Sequence, residues 1–434
     1  MLLRWLYNLC IHLVAPGALL LIAWRGWRNP AYRGRLAERL GHIEPSRAGP
    51  VIWVHAVSVG EVQAATPLLR ALQQRYPTHA LLVTTATPTG AQRVQALANA
   101  APATSLRHCY FPYDLPSAVR RFLDRARPAL AIVLETEVWP NLLRECTRRQ
   151  IPVVVASARL SEKSVRRLGW AAGLFAEVLA QNVIIAAQTT GDAQRFQQLG
   201  ADPARLRVTG NLKFDLHIAP DLREQGMRLK QEQFAQRPVW VAGSTHEGEE
   251  DLVLTAHQQL CRAHPDALLI LAPRHPNRFE HVHQRLAACG IEHARRTAGA
   301  KVPAHTSVLL LDTLGELLLF YAAADVAFVG GSLVPVGGHS LLEPAALGLP
   351  ILTGPHNFNA ADVARLFLGS GAALQVNDAE QLYAALAKLL SASGERASMG
   401  ERALTLVAAN RGTLGRLLQL IAPLVSVAPV APAP

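Results

Sequence analysis

The side chain best suited to proton transfer in this sequence is the carboxylate of Glu61. It follows an apolar run at residues 51–54 and a glycine, Gly60, and it stands where the pattern predicts the start of a helix. A glycine turn at that point would aim the carboxylate at a bound ligand, for which it could act as a general base. The structural alternative is that the negative charge only complements the helix dipole.

A second acidic motif places two carboxylates, Glu135 and Glu137, directly after the apolar run 129–134. On one strand they would share a face and repel each other. A fold tolerates such repulsion more readily where a cationic ligand or a proton-transfer step uses the charges. A plain helix start would explain the nearby Pro140 as the first helical residue, but it would not explain the pair of glutamates.

Two cations occupy comparable places in the chain. Lys213 comes shortly after Gly210, near the predicted junction of two domains, and is either a ligand-facing cation or a solvated surface lysine. Arg274 follows the apolar run 267–272 and lies between two prolines. A guanidinium held in this way is well placed for two-point binding of a phosphate group.

Glycine pairs at 330–331 and 337–338 precede another predicted helix. Paired glycines ahead of a helix leave backbone N–H groups bare, and these groups together with the helix dipole can bind phosphate. Glu343, about one turn into that helix, could accept hydrogen bonds from a ribose diol. The alternative is a simple glycine turn followed by an ordinary helical glutamate, but five polar loops in equivalent places favour a ligand site.

Several motifs are missing from the sequence, and their absence excludes classes of function. There is no G-x-G-x-x-G and no G-x-x-x-x-G-K-[ST], which argues against a dehydrogenase and a P-loop nucleotidase. There is no D-x-D or H-E-x-x-H, so no metal and no cofactor are expected. Charge stabilisation by Arg274, Lys213 and helix ends is consistent with this composition.

The elements that must position these residues alternate between short apolar runs and amphipathic helical stretches. The first series ends near residue 208, and a second begins at 239 after a polar stretch, 216–237, that is predicted to be an interdomain region. Alternating βα units predict doubly wound parallel sheets. Two Rossmann-like α/β domains facing a cleft are typical of the GT-B class of glycosyltransferases.

Composition adds a location and a kind of partner. Residues 5–24 are almost entirely apolar and are followed by a cluster of arginines, which predicts an uncleaved membrane anchor that either spans the bilayer or lies in its surface. The net charge of +11 suits anionic partners, and 6% aromatic residues without an interleaved basic stripe do not indicate nucleic acid. Five cysteines without CxxC spacing fit a reducing cytoplasm.

These observations predict four segments. They are a membrane anchor at 1–28, an acceptor domain at 29–215, a nucleotide-sugar-binding domain at 216–424 and a disordered tail at 425–434.

Taken together, the motifs resemble one family, the 3-deoxy-D-manno-octulosonic acid (Kdo) transferases of lipopolysaccharide biosynthesis. The resemblance runs from the anchor almost to the C-terminus in the expected order. The matching strings are HAVSVGE (55–61), TTATPTG (84–90), PYDLP (112–116), ETEVWPN (135–141), GNLKFD (210–215), PRHP (273–276) and GGHSLLEP (337–344).

The resemblance implies an inverting, metal-independent transfer of Kdo from CMP-Kdo to a hydroxyl of the lipid A precursor at the cytoplasmic face of the inner membrane. It implies that Glu61 is the general base and that Glu135 and Lys213 stabilise the transition state. It also implies a CMP site, which would comprise Pro273, Arg274, Leu314, Gly315, Glu316, Ser340, Leu341, Leu342 and Glu343.

Ser340 departs from the family pattern, which commonly has asparagine there, but either side chain can cap a helix. Two other readings stay open. One is a GT-B enzyme or an epimerase that uses a UDP-sugar. The other is a non-catalytic membrane-bound protein that binds nucleotide or lipid, because fold alone does not fix function.

Overall fold

The computed structural model describes residues 2–28, 30–32, 34–46, 49–100, 106–234, 237–299 and 301–427. The chain divides into two compact units. Unit 1 comprises Met1–Asp215 with Asn410–Pro434, and unit 2 comprises Leu216–Ala409.

Unit 1 is built on a parallel sheet whose described strands follow the order β3-β2-β1-β4-β5-β6-β7. The chain moves outward from β1 in one direction and then returns to β4 to continue in the other, so the topological switch point lies between β1 and β4. The strands are β1 Val51–His55, β2 Ala80–Thr85, β3 Leu106–Tyr110, β4 Pro128–Leu134, β5 Val153–Ala158, β6 Val183–Ala187 and β7 Leu206–Val208.

Unit 2 repeats the plan with a second parallel sheet, whose described strands follow the order β10-β11-β9-β8-β12-β13-β14. Its switch point lies between β8 and β12. The strands are β8 Val239–Thr245, β9 Leu268–Pro273, β10 His293–Arg295, β11 Val308–Leu310, β12 Val326–Val329, β13 Ile351–Thr353 and β14 Ala373–Gln375.

Helices follow most of the strands, as the alternating sequence pattern predicts. The described α-helices are α1 Leu2–Arg28, α2 Val59–Arg75, α3 Pro88–Ala100, α4 Pro116–Ala126, α5 Pro140–Arg148, α6 Glu162–Leu168, α7 Ala172–Leu179, α8 Thr190–Gln198, α9 Leu222–Phe234, α10 Glu249–Ala263, α11 Phe279–Ala288, α12 Leu317–Ala322, α13 Leu342–Ala346, α14 Ala361–Gly369, α15 Ala379–Ser391, α16 Ser393–Asn410 and α17 Thr413–Val427.

Each sheet is buried on both faces, which is why its central strands are continuous apolar runs rather than alternating ones. In β1, Trp53 packs on one face and contacts Phe122 edge-on with ring centroids 4.9 Å apart. Ile52 and Val54 pack on the opposite face. The prediction of two parallel α/β domains with an apolar N-terminal helix is confirmed.

The predicted domain limits need correction at the C-terminus. Helix α17 belongs to unit 1, because Leu417, Ile421 and Val425 are buried in the core beside Leu212. The carboxylate of Asp215 accepts hydrogen bonds from the backbone N–H of Gly412 at 2.7 Å and from that of Leu414. The second domain therefore does not extend to 424. The predicted disordered tail is wrong for residues 425–427, which are helical, and 428–434 lie outside the described residues.

The polar stretch 216–237 is not a simple connector either. Most of it forms α9, whose last residue, Phe234, is buried in the core of unit 2. Gly226 lies so close to α12 that an added Cβ would be 2.4 Å from the Cβ of Ala322. The polar composition of this stretch did not indicate a helix, because α9 packs through only a few apolar residues.

Candidate active site

The switch point of the unit 1 sheet brings the two predicted acidic motifs together. In open parallel sheets, ligands bind beyond the carboxyl ends of the strands where the strand order reverses. The chain leaves β1 toward Glu61 and leaves its neighbour β4 toward Glu135 and Glu137. One small crevice is lined by Glu61, Glu135, Ser157 and Asn211, among others.

Glu61 is fixed at the start of α2 by a reciprocal capping arrangement. Ser58 is the N-cap, and its Oγ accepts a hydrogen bond from the backbone N–H of Glu61 at 3.3 Å. The Oε2 atom of Glu61 accepts in return from the backbone N–H of Val57 at 2.7 Å. The arrangement resembles a capping box, except that Glu61 reaches the N–H of the residue before the N-cap. One oxygen of Glu61 therefore has a structural role. The other oxygen, Oε1, receives only a 3.4 Å contact from Ser58 Oγ and retains capacity to accept a proton.

Burial and a neighbouring negative charge raise the pKa of Glu61 to about 7. Loss of hydration is the larger cause, Glu135 adds repulsion, and the hydrogen bond from Val57 acts in the opposite direction. A carboxylate poised near neutral pH both accepts and releases a proton readily, which is the property required of a general base.

Glu135 does not lie in a strand, contrary to the picture of two glutamates sharing a strand face. Strand β4 ends at Leu134, and Glu135 has a left-handed backbone with φ of 56°. A residue with a side chain pays for this conformation, so its persistence requires compensating contacts. The carboxylate accepts from Lys213 Nζ at 2.6 Å, and the Arg159 guanidinium lies 3.9 Å away.

Glu137 has different surroundings from Glu135. Its Oε2 accepts a hydrogen bond from the indole N–H of Trp139 at 2.7 Å and lies 4.0 Å from Nε2 of His55. His55 is fully buried and stacked on Phe111 at 3.9 Å, and burial lowers its pKa to about 3. The ring is therefore neutral, and Glu137 is held by Trp139 rather than by an ion pair.

Lys213 lies in a short 3-10 turn, Leu212–Phe214, that is held to the sheet by hydrogen bonds. The Oδ1 of Asn211 accepts from the backbone N–H of Lys213 at 3.0 Å. The Oγ of Ser157, itself left-handed with φ of 50°, accepts from the backbone N–H of Leu212 at 3.0 Å. The turn directs the ammonium group at Glu135, so Lys213 is not a freely solvated surface lysine.

The glycine-rich loop after β12 in unit 2 differs from its predicted role. Its backbone N–H groups are not bare, because the buried carboxylate of Glu249 accepts from Gly331, Ser332 and Leu333 at 2.7 to 3.0 Å. These loop N–H groups therefore bind the carboxylate of Glu249, which lies at the start of α10. The prediction that this glycine pair offers its N–H groups to a phosphate is wrong.

Side chains, rather than backbone N–H groups, are the polar groups available near the predicted phosphate site. Arg274 is exposed at the end of β9, and its charge lowers the pKa of Glu343, which burial raises. The imidazoles of His246 and His339 stack with Nε2 atoms 2.8 Å apart. Burial, together with His246, Arg274 and His275, lowers the pKa of His339 to about 4, so this ring is neutral.

The other predicted CMP-site residues fall into two groups. Pro273, Leu341 and Leu342 are buried, whereas Ser340 and Leu314 are exposed and Gly315 has a left-handed φ of 89°. Glu316 is already engaged, because its carboxylate accepts from Arg296 at 2.8 Å and from the hydroxyl of Thr313. The charge of Arg274 acts on Glu343, while Glu316 is bound within its own loop.

Comparison with known proteins supplies the family. The model of the 3-deoxy-D-manno-octulosonic-acid transferase (kdotransferase) N-terminal region matches residues 34–216, and that of group 1 glycosyl transferases matches 239–405. A 3-deoxy-D-manno-octulosonic acid transferase of Haemophilus influenzae is 40% identical over 423 residues, which cover 97% of this chain and 98% of that protein. The chain belongs to the Kdo transferase family.

A second member of the Kdo transferase family, from Bordetella pertussis, is 39% identical over 432 residues, covering 96% of this chain and 98% of that protein. Among solved structures, a UDP-GlcNAc 2-epimerase from Neisseria meningitidis bound to UDP-GlcNAc superposes with a TM-score of 0.53. It is 16% identical and covers 85% of this chain and 100% of its own, which shows a shared fold alone. The resemblance to Kdo transferases seen in the sequence motifs is confirmed.

The residues of this Kdo transferase that the sequence did not single out act over long separations. Glu249 reaches a loop more than eighty residues away, and Ser157 positions the Lys213 turn from a different strand. Across the part of the chain that the structure describes, no group of three or more His, Cys, Asp or Glu is arranged to hold a metal ion.

Proposed function

We propose that this Kdo transferase moves Kdo from CMP-Kdo to a hydroxyl of the lipid A precursor, with inversion and without a metal ion. Family membership supports the sugar and the reaction. The observation that carries the residue assignment is Glu61, a carboxylate with a pKa of about 7 beside the Glu135–Lys213 ion pair at the switch point of the sheet.

In the proposed reaction, Glu61 removes the proton of the attacking hydroxyl. The hydroxyl oxygen forms a bond to the anomeric carbon of Kdo while the bond from that carbon to the phosphate oxygen of CMP breaks. The proton ends on the carboxyl of Glu61, and CMP leaves with the bonding electron pair. Because the attack comes from the side opposite the leaving group, a single displacement inverts the anomeric centre.

Glu135 and Lys213 are proposed to stabilise charge that develops in the transition state. The sugar gains oxocarbenium character, which the carboxylate of Glu135 would stabilise, and the departing phosphate gains negative charge, which favours a nearby cation. Their 2.6 Å contact restrains both side chains before substrate arrives. Preorganised charge of this kind costs no rearrangement during reaction.

Unit 2 is proposed to bind CMP through Arg274 and the segment from Ser340 to Glu343, with Pro273, Leu314, Gly315 and Glu316 at the rim. In the described part of the chain Arg274 makes no ion pair with a carboxylate, so its guanidinium retains donors for phosphate. Glu343 would accept from the ribose hydroxyls.

The enzyme is proposed to work at the cytoplasmic face of the inner membrane, where its acylated, phosphorylated acceptor resides. The apolar helix α1 is long and apolar enough to cross a bilayer by length and composition. The net charge of +11 suits the anionic acceptor and anionic headgroups.

The experiment is a transfer assay read by mass spectrometry. Purified full-length enzyme in detergent with EDTA is given the lipid A precursor and CMP-Kdo, and in parallel UDP-GlcNAc. Kdo-bearing lipid with CMP-Kdo alone is the expected product, and its mass counts the sugars added. Transfer or epimerisation with the UDP-sugar would favour the UDP-sugar reading. Binding of CMP without product, with or without added divalent metal, would favour a non-catalytic protein.

A further inference from the structure

Two sequence motifs, TTATPTG at 84–90 and PYDLP at 112–116, take no part in the proposed proton transfer, yet both contact Arg39. The Nη2 atom of Arg39 donates to the carbonyl oxygen of Ala86 at 2.9 Å. Its backbone carbonyl accepts from the backbone N–H of Tyr113, also at 2.9 Å. Arg39 therefore joins the two motifs at one point of unit 1.

Arg39 is a buried cation without a counter-charge. It is 4% exposed, and across the part of the chain that the structure describes it forms no ion pair with a carboxylate. The adjacent carboxylate of Glu38 is engaged elsewhere, because Oε1 accepts from Arg35 at 2.7 Å and Oε2 from the backbone N–H of Tyr110 at 2.8 Å. A guanidinium keeps its charge in proteins even where burial lowers its pKa, as it does for Arg39. A buried charge is costly unless it is paired, so this site is suited to an anionic ligand.

Polar atoms around this cation lack partners in the free protein. The Nε of Arg39 and the hydroxyl of Tyr113 are both buried, and neither has a hydrogen-bond partner among the described residues. The guanidinium carbon lies 4.3 Å from the ring centroid of Tyr110, but a ring face beside the guanidinium does not accept the N–H groups that point outward in its plane. Unfilled buried donors are rare because they are costly. Two of them beside an unpaired cation match an anion with several acceptor oxygens, such as phosphate.

The turn that carries Arg39 is held in place before any ligand binds. The 3-10 turn Leu36–Leu40 ends at Gly41, where φ is 84° and where an added Cβ would collide with a backbone oxygen of α4. From α4, Arg121 donates twice to the carbonyl oxygen of Leu40, at 2.9 and 3.0 Å. A binding group fixed in this way loses little conformational freedom when its ligand arrives.

A series of hydrogen bonds connects Arg39 with Glu61. The carbonyl oxygen of Ala86 accepts from Arg39, and the backbone N–H of Ala86 donates to the carbonyl oxygen of Val57 at 2.9 Å. The backbone N–H of Val57 donates in turn to Glu61 Oε2 at 2.7 Å. Three hydrogen bonds and two residues span at most about 16 Å. A phosphorylated disaccharide can therefore reach the guanidinium while one of its hydroxyls lies at the proposed base.

We propose that Arg39 and the hydroxyl of Tyr113 form a subsite for one phosphate group of the acceptor and thereby position the attacking hydroxyl at Glu61. The adjoining exposed residues Arg35 and Thr89 leave the rim of this subsite open to solvent. The inference rests on the proposed function, which supplies a phosphorylated acceptor. Arg39 does not touch the reacting atoms, so it is a positioning residue that also selects the acceptor.

Transfer kinetics with three acceptors test the subsite. Full-length wild type and Arg39→Gln are given CMP-Kdo with the doubly phosphorylated precursor, and with each of the two forms that lack one phosphate. Arg39→Gln should raise the KM for the doubly phosphorylated acceptor about 10- to 100-fold, as expected for a charged hydrogen bond. The KM for CMP-Kdo should not change. Wild type should lose a similar factor with one of the singly phosphorylated acceptors.

The decisive comparison is whether the two losses add. Arg39→Gln should suffer no further loss when the recognised phosphate is also missing, because the same contact is then removed twice. An equal loss by Arg39→Gln on all three acceptors would show that Arg39 only supports the fold, and unchanged kinetics would show that it binds nothing; either result overturns the proposal. Arg70→Gln, which removes an exposed arginine of α2, is the matched control and should keep the wild-type preference.

Tyr113→Phe separates ligand binding from folding, since it removes a hydroxyl that has no partner in the described protein. It should melt no lower than wild type and yet bind the doubly phosphorylated acceptor about tenfold more weakly. Binding of the radiolabelled precursor in detergent micelles, without CMP-Kdo, measures this independently of transfer. Unchanged affinity in folded Tyr113→Phe and Arg39→Gln would overturn the subsite even if transfer occurs. Arg39-dependent binding without any transfer would support the subsite and count against the proposed function.

Discussion

The ammonium group of Lys213 lies 2.6 Å from a carboxylate oxygen of Glu135, seventy-eight residues earlier in the chain. The two residues reach each other from a 3-10 turn and from a left-handed residue after β4. Glu61 experiences both charges: Glu135 raises its pKa and Lys213 lowers it. The pair thus adjusts the pKa of the proposed base, which burial raises most.

The first prediction concerns the pH dependence of transfer. Because Glu61 must be ionised to accept a proton and its pKa is about 7, kcat/KM should fall about tenfold per pH unit below that value and level off above it. Glu135→Gln removes a negative charge that raises the pKa of Glu61, so the pH at which kcat/KM begins to fall should be lower. Lys213→Met removes a positive charge that lowers this pKa, so that pH should be higher. Shifts of both variants in the same direction would contradict this coupling.

The second prediction concerns stability. Burial raises the pKa of Glu61 from 4.5 to about 7 on folding, so the folded protein binds the proton more tightly than the unfolded chain. Its contribution to stability is present below pH 4.5 and is lost as pH rises through about 7. Glu61→Gln keeps an oxygen for the Val57 N–H and should be more stable than wild type by roughly 1–3 kcal/mol at pH 8.

At pH 5 the gain should shrink to below about 1 kcal/mol, because folded Glu61 is then protonated and only the unfolded chain, with its pKa of 4.5, is still largely ionised. A difference of this size corresponds to only a few degrees in melting temperature. Melting curves at both pH values measure this. An equal gain at pH 5 and pH 8 would show that ionisation of Glu61 is not its cause.

The third prediction concerns the glycine loop of unit 2. Glu249→Gln leaves one acceptor oxygen for three loop N–H groups and turns an amide N–H₂ toward them. Unfilled buried donors are costly, so the unit should lose about 2 kcal/mol or more. CMP affinity, measured by calorimetry, should fall because the loop precedes the proposed nucleotide segment. Glu247→Gln, a neighbouring exposed carboxylate, is the control and should change neither quantity.

The fourth prediction concerns the anchor contact. Tyr7→Phe removes one hydrogen bond to Asp114 and should lower stability in detergent by about 1 kcal/mol. Asp114→Ala should cost about 3 kcal/mol, because it also leaves the backbone N–H groups of Asn141 and Leu142 without their acceptor. Asp124→Ala, an exposed carboxylate paired with Arg149, should have little effect. A Tyr7→Phe protein that melts with wild type, while Asp114→Ala still loses stability, would mean that α1 is not held by the bond to Asp114.

The sequence allowed the fold class to be predicted because buried parallel strands are short, continuous apolar runs. It did not indicate edge strands such as β3 and β10, which contain Arg107, His108 and His293, since an edge position tolerates polar residues. It also did not indicate that α17 returns to unit 1. The apolar spacing of Leu417 and Ile421 predicts a helix, but not the sheet on which that helix packs.

The candidate site followed the same rule. The placement of Glu61 at a helix start was predictable because that turn is local in the chain. The contacts of Glu135 and Glu249 were not, since one depends on a left-handed turn and the other on a loop far along the sequence. Local patterns thus predicted the positions of the proposed site residues, while tertiary contacts decide which of their polar groups are already engaged.

The most direct test of the central claim is the rate of Kdo transfer by Glu61→Gln at pH 8, with CMP-Kdo and the lipid A precursor. The control is Glu224→Gln, a matched change in the first turn of α9, where the carboxylate is exposed. We expect Glu61→Gln to melt no lower than wild type, to bind CMP normally and to transfer at least about 10²-fold more slowly, while the control keeps full activity. Transfer by a folded Glu61→Gln enzyme at the wild-type rate would show that another group removes the proton.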